Sequence, residues 1–315
     1  MLNEDITQNR ILDLMYDSLG NKIVNFLKDN DVNEVILNPD GKIWIVTRSK
    51  GDVDTGYTLE ADSARQVILQ AASLTEQICN EDNPILYTTL PDGSRFTGFL
   101  PGVVSQPSFN IRKHTHSSQH LEDYLKDGIM TQQQYDVIIQ AIKDKRNIVV
   151  AGGMGSGKTT LLNAILAKVS STQDRVVMIE DTPELKCEAK NLLSLKTTEN
   201  VNQMALARAV LRTTPDRLVM GEIRGDEALA LMDIWQVGHG GGCATVHSNN
   251  AQHTLKRLEQ LISRVSKTKP QEAIGDAVGM IIYIKLTGNG RRIEEILAVN
   301  GWNDDMNKYN LERVC

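Results

Sequence analysis

The stretch AGGMGSGKTT, residues 151–160, combines residue types that suit phosphate binding. Residues 152–159 fit the pattern G-x-x-x-x-G-K-[ST], between an apolar run that predicts a buried strand and a segment that predicts a helix. Glycines allow successive backbone N–H groups to converge on phosphate oxygens, and a helix N-terminus adds the positive end of its dipole. The predicted nucleotide-binding residues are Gly152, Gly153, Met154, Gly155, Ser156, Gly157, Lys158, Thr159 and Thr160.

Two side chains of this loop are predicted to contact ATP and Mg²⁺. Lys158 is placed to reach the β- and γ-phosphates, and the Thr159 hydroxyl is placed to hold the metal. The alternative is a chance glycine-rich turn, and it does not explain why a predicted strand and a predicted helix flank the pattern. We therefore expect a nucleotide site here.

Acidic residues stand at the ends of two other predicted strands. Glu180, Asp181 and Glu184 follow the apolar run RVVMI. Ligands of open α/β sheets lie at the carboxyl ends of strands, where a carboxylate can orient or deprotonate an attacking water; a solvated acidic loop is the alternative. Glu222 follows RLVM and a glycine, where phosphate-loop proteins usually carry an aspartate. Its longer side chain is predicted to act on Mg²⁺ through a water.

A histidine and several arginines complete the candidate residues. His247 ends the predicted strand CATVH and is expected to sense the γ-phosphate, with a structural histidine as the alternative. His239, in the preceding glycine-rich turn, is a further candidate. An arginine that neutralises the charge developing on the γ-phosphate accelerates phosphoryl transfer. The alternative for each candidate is an arginine that only lies on the protein surface. The candidate arginines are Arg95 and Arg112 in the first half of the chain and Arg208, Arg212 and Arg224 in the second.

Two differently built segments are predicted to position these residues. The predicted elements of the first are a helix over 11–29, a hairpin at Pro39-Asp40-Gly41, a helix over 60–80, a hairpin at Asp92-Gly93 and a strand over 108–113. The second alternates short apolar strands with helices, which predicts a mostly parallel sheet covered on both faces. It ends in a predicted hairpin at Asn289-Gly290 and a polar tail that we expect to be loose.

The fold prediction is therefore α/β, with an N-terminal α+β domain joined by a linker to a RecA-like P-loop NTPase domain. We place the first domain at 1–112, a linker with connecting helices at 113–146 and the ATPase domain at 147–315. The polar stretch HTHSSQH, which begins at His114, is the predicted linker.

Composition excludes several classes of protein. The 315 residues carry a formal net charge of −6 and are 4% aromatic, which disfavours a protein that holds nucleic acid by charge and stacking. No apolar run approaches a membrane span and the first residues lack a signal pattern, so we expect a cytoplasmic protein. The four cysteines form no C-x-x-C pair, and we expect reduced thiols.

Taken together, these stretches resemble the secretion-ATPase superfamily of type II and type IV secretion, and within it the conjugal-transfer branch. The likeness covers nearly the whole chain, and its sequence segments are NPDGKIWI, LPDGSRFTGFLP, FNIRK, the phosphate loop, IEDTPEL, RTTPDRLVMGEIRG and GHGGGCATVHSN. The absence of a zinc tetracysteine motif argues against the type II branch.

The resemblance implies roles for matching residues. It implies that Glu184 is the catalytic glutamate, Glu222 the Walker-B glutamate and His247 the His-box histidine. Arg95 and Arg112 match N-terminal arginines that close onto the nucleotide. The resemblance also implies a homo-hexameric ring in which the N-terminal domain swings about the linker during hydrolysis.

The expected function is Mg²⁺-dependent ATP hydrolysis that powers a type IV secretion or conjugation apparatus. Its expected partners are other copies of the chain and inner-membrane components of that apparatus, with peripheral contact at the inner face of the inner membrane and no sequence-specific DNA binding. A pilus assembly or retraction ATPase, a RecA-like nucleic-acid motor, a small-molecule kinase and a nucleotide-gated scaffold are the alternatives.

Overall fold

A computed structural model describes residues 2–47, 50–113, 120–198, 200–236, 240–288 and 290–315. Contacts divide the chain into two compact units, Met1–His116 and Ser117–Cys315. The linker histidines His114 and His116, and the candidate His239, lie outside the described residues. Along the part of the chain that is described, no helix has both the length and the apolar character needed to cross a bilayer.

The first unit places helices on an antiparallel sheet. Its elements are α1 (Leu2–Lys28), β1 (Val32–Leu37), β2 (Lys42–Thr47), β3 (Gly51–Thr58), α2 (Ala61–Leu74), β4 (Ile85–Thr89), β5 (Arg95–Phe99) and β6 (Ser108–Arg112). The strands lie in the order β3-β2-β1-β6-β5-β4. Both predicted hairpins are present, as the antiparallel pairs β1–β2 and β4–β5. The first helix begins earlier than predicted and is interrupted at Gly20, which has φ 75°.

Helix α2 is held on this sheet by one apolar face. Ala64, Val67, Ile68 and Ala71 recur at spacings of three and four residues, and all are buried. A Cβ built on Gly98 of β5 would lie 3.1 Å from the Ile68 side chain, so the glycine lets the helix approach closely. This unit therefore has its own hydrophobic core.

The second unit contains the phosphate loop. Its elements are α3 (Leu121–Lys126), α4 (Gln132–Lys143), β7 (Ile148–Gly152), α5 (Lys158–Val169), β8 (Val176–Glu180), β9 (Leu192–Lys196), α6 (Gln203–Val210), β10 (Arg217–Ile223), α7 (Glu227–Gln236), β11 (Cys243–His247), α8 (Ala251–Ile262), α9 (Gln271–Ala277), β12 (Met280–Thr287), β13 (Gly290–Asn303) and β14 (Lys308–Arg313). The strands lie in the order β14-β13-β12-β7-β11-β10-β8-β9. The α/β class is confirmed by this alternation of strands and helices.

Pairing in this sheet is mixed. Among the described residues, six strands run parallel to one another: β12, β7, β11, β10, β8 and β9. At one edge, β13 pairs antiparallel with β12, and β14 pairs antiparallel with β13. Apolar β7 and β8 are buried along their whole length, as expected of strands covered on both faces. Because parallel strands end at the same edge, β7, β8, β10 and β11 bring Gly152, Glu180, Ile223 and His247 to one side of the sheet.

The segment predicted as linker and connecting helices contributes to the second unit. Leu121 and Tyr124 of α3 and Ile138 of α4 are buried in a core cluster that also holds residues of β7 and α5. Helix α4 begins with a capping box, in which the Thr131 hydroxyl accepts the Gln134 N–H at 3.2 Å and the Gln134 side chain accepts the Thr131 N–H at 3.0 Å. The two connecting helices therefore pack as part of this unit.

The prediction of a loose polar tail is wrong. Strand β14 pairs with β13, and the Tyr309 ring meets the Trp302 ring edge-on at a centroid distance of 4.8 Å. The Tyr309 hydroxyl donates to Glu259 Oε1 at 2.8 Å, and Leu311 packs against the core. Cross-strand contacts thus order a segment whose local composition is that of a loop.

A buried arginine, Arg217, lies at the amino-terminal edge of this sheet, opposite the carboxyl ends of the parallel strands. The Arg217 side chain is 2% exposed, and its Nε donates to Asp174 Oδ2 at 2.7 Å. Its two terminal nitrogens donate to the carbonyls of Gly241 and Ile142, each at 3.1 Å. Burial raises the pKa of Asp174, but hydrogen bonds from Lys145 and Arg217 outweigh that effect and hold the pKa below its usual value. The cluster is a satisfied structural ion pair.

Replacing Arg217 with methionine is expected to lower the free energy of unfolding of the second unit by about 3–5 kcal/mol, because the Gly241 and Ile142 carbonyls lose their donor and Asp174 loses its buried partner. The matched control is Lys145→Met, which removes the other partner of Asp174. The Lys145 side chain is 45% exposed, so its loss should cost about 1 kcal/mol or less. Urea unfolding of both variants measures the difference. Equal losses would contradict the buried-pair interpretation.

Candidate active site

The phosphate loop connects β7 to α5 and contains two positions, 152 and 157, that only glycine can occupy. A Cβ built on Gly152 would lie 2.3 Å from the Ile284 carbonyl oxygen and 2.5 Å from Ser156 Oγ. Gly157 has φ 94° and forms the N-cap of α5, a conformation that L-residues rarely adopt. The loop is thereby forced to turn tightly around its exposed residues Gly153, Met154 and Gly155.

Lys158 begins α5 and points back over this loop. The residue is 7% exposed, and its Nζ donates to the Gly153 carbonyl oxygen at 2.9 Å. The same Nζ lies 3.2 Å from His247 Nδ1. Thr159 and Thr160 follow in the first turn of α5, where each is half-buried. The loop, its lysine and the histidine at the end of β11 are thus in direct contact.

His247 connects Lys158 to Glu222. Its Nδ1 faces the donor Nζ of Lys158, which leaves the ring proton on Nε2, and Nε2 lies 2.8 Å from Glu222 Oε1. Burial lowers the pKa of His247, and the positive charge of Lys158 lowers it further, while Glu222 opposes the shift. The imidazole is therefore neutral at physiological pH, with one nitrogen toward the lysine and the other toward the carboxylate.

Glu222 lies between His247 and Arg224. Its Oε2 accepts from the Arg224 guanidinium at 2.5 Å. Its Oε1 is buried and, although His247 Nε2 is close, forms no hydrogen bond of regular geometry with any described residue. That oxygen can therefore still accept a hydrogen bond. Arg224 lies 3.9 Å from Asp181 and interacts electrostatically with Glu184, so these acidic residues belong to the same neighbourhood.

The residues at the loop fit a nucleotide with its magnesium ion. A Cβ at Gly152 or Gly157 would collide with the side chain of Ser156 or Arg291, so the two glycines let the backbone turn closely there, and the buried Glu222 Oε1 offers an oxygen acceptor. Within the described ranges, no group of three or more His, Cys, Asp or Glu residues could hold a metal by itself. Magnesium is commonly held by one or two protein groups together with substrate phosphates, and Thr159 and Glu222 would be those groups here.

The acidic loop after β8 is organised by Glu180. This side chain is 3% exposed, and its Oε1 accepts the backbone N–H groups of Glu184 and Leu185, each at 2.8 Å. Asp181 is exposed and accepts from Thr197 at 3.2 Å. Among the three acids singled out in the sequence, Glu180 therefore shapes the loop, while Glu184 remains half-buried near Arg224.

One residue of this site was not predicted. Asn163 of α5 accepts the Lys186 N–H at Oδ1, 2.8 Å away, and donates from Nδ2 to the Glu184 carbonyl at 3.0 Å. In the sequence it is one polar residue within an apolar helix, TTLLNAILAKV, and nothing in its spacing points to the acidic loop. Arg224 was named only as one of several arginines. Arg208 is exposed on α6, and Arg212 is exposed in the turn that follows it.

The other two predicted arginines lie in the first unit, side by side. Arg95 of β5 is directly opposite Arg112 of β6 in the antiparallel register, so both belong to one face of that sheet. Arg112 is also opposite Glu34, and its Nε lies 3.5 Å from Glu34 Oε1. Two like charges at directly opposed positions repel each other, and Glu34 offsets part of that repulsion at Arg112.

Comparison with known proteins places this site in a family. The chain matches the family described as "Type II/IV secretion system protein" over residues 19–290. It is 40% identical over 309 residues to the conjugal transfer protein TrbB of Rhizobium radiobacter, covering 97% of this chain and 95% of that protein. It is 27% identical over 313 residues to the type IV secretion system protein VirB11 of Brucella suis, covering 86% of each.

A solved structure extends the comparison to the fold. The pilus retraction motor PilT with bound ADP aligns over 93% of this chain and 82% of that protein, with a TM-score of 0.64 and 16% identity. At that identity the likeness concerns the fold alone. The predicted resemblance to the secretion ATPases is confirmed by the family match and by the relatives that span the chain. This chain belongs to the type II/IV secretion system protein family.

Proposed function

We propose that this secretion ATPase hydrolyses ATP with Mg²⁺ and that the hydrolysis powers assembly of, or substrate transfer through, a type IV secretion apparatus of the conjugal-transfer kind. Its nucleotide-binding domain is proposed to be RecA-like. The observation that carries the proposal is the contact series Lys158–His247–Glu222–Arg224 beside a glycine-bounded phosphate loop. The 40% identity to the protein named conjugal transfer protein TrbB supports the biological setting.

The side chains divide the work by their chemistry. Lys158 and the N–H groups of residues 152–160 hold the phosphates, and Thr159 with Glu222 holds Mg²⁺, which neutralises charge on the phosphate oxygens. Glu184 orients or deprotonates the attacking water. His247 touches both Lys158 and Glu222, so it senses whether the γ-phosphate is in place.

Hydrolysis is proposed to occur in a homo-hexameric ring, in which Arg95 and Arg112 of the first unit contribute charge to the phosphates. The ring works with inner-membrane components of the apparatus from the cytoplasmic side, as a peripheral partner that does not read DNA sequence. The arginine pair in opposed register and the family's association with secretion systems support this part of the proposal.

Steady-state phosphate release by the purified chain tests the function. We would measure it alone, with single-stranded DNA, and with vesicles of phosphatidylglycerol or of phosphatidylcholine, with Lys158→Ala as the blank. A slow basal rate that ignores DNA and is absent in the blank is expected. A rise with phosphatidylglycerol alone would support action at an acidic membrane surface.

Three outcomes would overturn the proposal. A preparation that binds ATP but releases no more phosphate than Lys158→Ala would be a nucleotide-gated scaffold rather than an engine. A rate that depends on DNA would identify a nucleic-acid motor. Phosphate transfer from ATP to a metabolite in place of water would identify a kinase.

The arginine pair yields a separate prediction. Arg95→Ala and Arg112→Ala should each lower kcat about 10- to 100-fold, less than a lone arginine finger because two arginines share the charge. Each change relieves repulsion within the pair, and the Arg112–Glu34 ion pair is partly exposed, so the melting temperature should fall only slightly. Lys42→Ala, which removes a cation of β2 that is 55% exposed, is the control and should keep the wild-type rate. A large melting-temperature drop with an unchanged rate would make the pair structural.

A further inference from the structure

We propose that Asn163 and Glu180 are positioning residues that hold the main chain of Glu184 in a fixed place relative to the phosphate loop. The inference rests on the proposed function, since it concerns the glutamate assigned there to the attacking water. It gives a role in the reaction to Asn163 and Glu180, neither of which is proposed to contact the nucleotide directly.

Both main-chain polar groups of Glu184 are held by side chains. Its N–H donates to Glu180 Oε1 at 2.8 Å, and its carbonyl oxygen accepts from Asn163 Nδ2 at 3.0 Å. The neighbouring N–H groups are used in the same way, that of Leu185 by Glu180 and that of Lys186 by Asn163, both at 2.8 Å. Four hydrogen bonds therefore fix three consecutive residues of an otherwise irregular loop.

The two holding residues are themselves well anchored. Glu180 is the last residue of β8, is 3% exposed and lies beside Gly221, where a Cβ would approach its Cγ to 3.2 Å. Asn163 is on α5, whose neighbouring residues Leu161, Leu162, Ala164 and Ile165 are all buried. Neither residue can shift without moving a strand or a helix of the core.

Asn163 links the acidic loop to nucleotide binding. It lies on the helix that begins at Lys158, so one rigid element carries both the phosphate-binding lysine and the amide that holds Glu184. The distance from Glu184 to the phosphates is therefore set by a helix rather than by a loop. A displacement of about 1 Å in a reacting group can cost about 100-fold in rate.

The alternative is that Asn163 stabilises the fold only, and a double-mutant cycle separates the two. We would measure kcat, KM and melting temperature for wild type, Asn163→Ala, Glu184→Gln and the double variant. Asn163→Asp, which keeps an acceptor for Lys186 N–H but lacks the donor to Glu184, is a second test of the same bond. Asn191→Ala is the control, since Asn191 is exposed and holds only Arg175, at 2.8 Å, among the contacts described for its side chain.

We expect Asn163→Ala and Asn163→Asp to lower kcat roughly 10- to 100-fold with KM within about threefold of wild type. In the Glu184→Gln background, Asn163→Ala should have almost no further effect, because the group it positions is already disabled. An equal loss in both backgrounds, or a wild-type kcat in both Asn163 variants, would overturn the inference. No hydrolysis by wild type, or full kcat in Glu184→Gln, would instead reject the proposed function.

Discussion

Lys158→Ala is expected to reduce ATP hydrolysis by about 1,000-fold or more and to weaken ATP binding strongly. Lys158 is buried, and its Nζ is held at the Gly153 carbonyl and at His247. Alanine removes the positive charge at the place where the β- and γ-phosphates are proposed to lie. The expected result is therefore a loss of both binding and turnover.

Phosphate release and the binding of a fluorescent ATP analogue measure the two losses separately. Lys143→Ala, at the exposed end of α4, is the matched control and should behave as wild type. Circular dichroism checks that both variants are folded. Normal hydrolysis by a folded Lys158→Ala protein would reject the assignment of the phosphate loop.

Glu184→Gln should separate binding from hydrolysis. Glutamine keeps the size of the side chain and leaves the four hydrogen bonds around the loop intact, because those bonds use main-chain groups of residues 184–186. It cannot accept a proton from water, so kcat should fall by about 100- to 10,000-fold. ATP affinity should remain within a few-fold of wild type, since the phosphates are held by another loop.

Glu188→Gln, an exposed carboxylate four residues farther along the chain, controls for a change in net charge and should keep the wild-type rate. Single-turnover phosphate release, with ATP binding measured on the same samples, gives the comparison. A Glu184→Gln variant that loses affinity but keeps its rate per bound ATP would show that Glu184 binds substrate and does not act on water.

Much of this site could be predicted because its signals are local. The phosphate loop occupies nine consecutive residues, and the strands that deliver Glu180, Glu222 and His247 are short apolar runs with a polar residue at or near the end. In a mostly parallel sheet those ends meet at one edge, so the shared strand direction brings the residues to the same side. The two hairpins of the first unit were also predicted from a local signal, the Asp-Gly pairs in their turns.

Residues that act through distant contacts could not be predicted. Asn163 and Glu184 are separated by a helix end, a strand and a turn, and their hydrogen bond exists only once folding brings α5 to the loop that follows β8. Strand β14 was missed for a similar reason, since its polar residues are ordered by β13 and by Glu259 of α8. Neither contact leaves a periodic pattern in the sequence.

The place of β7 within the sheet has a consequence for how the protein is made. The strand that leads into the phosphate loop pairs on one side with β11 and on the other with β12, and the Ile284 carbonyl of β12 closes over Gly152. During synthesis β7 emerges more than a hundred residues before β12. A nascent chain that stops short of β12 therefore exposes an unpaired edge of β7, which invites aggregation. We expect the backbone around Gly152 to reach its final conformation only after β12 has paired with β7, so ATP should stabilise the completed sheet more than a chain that stops short of β12.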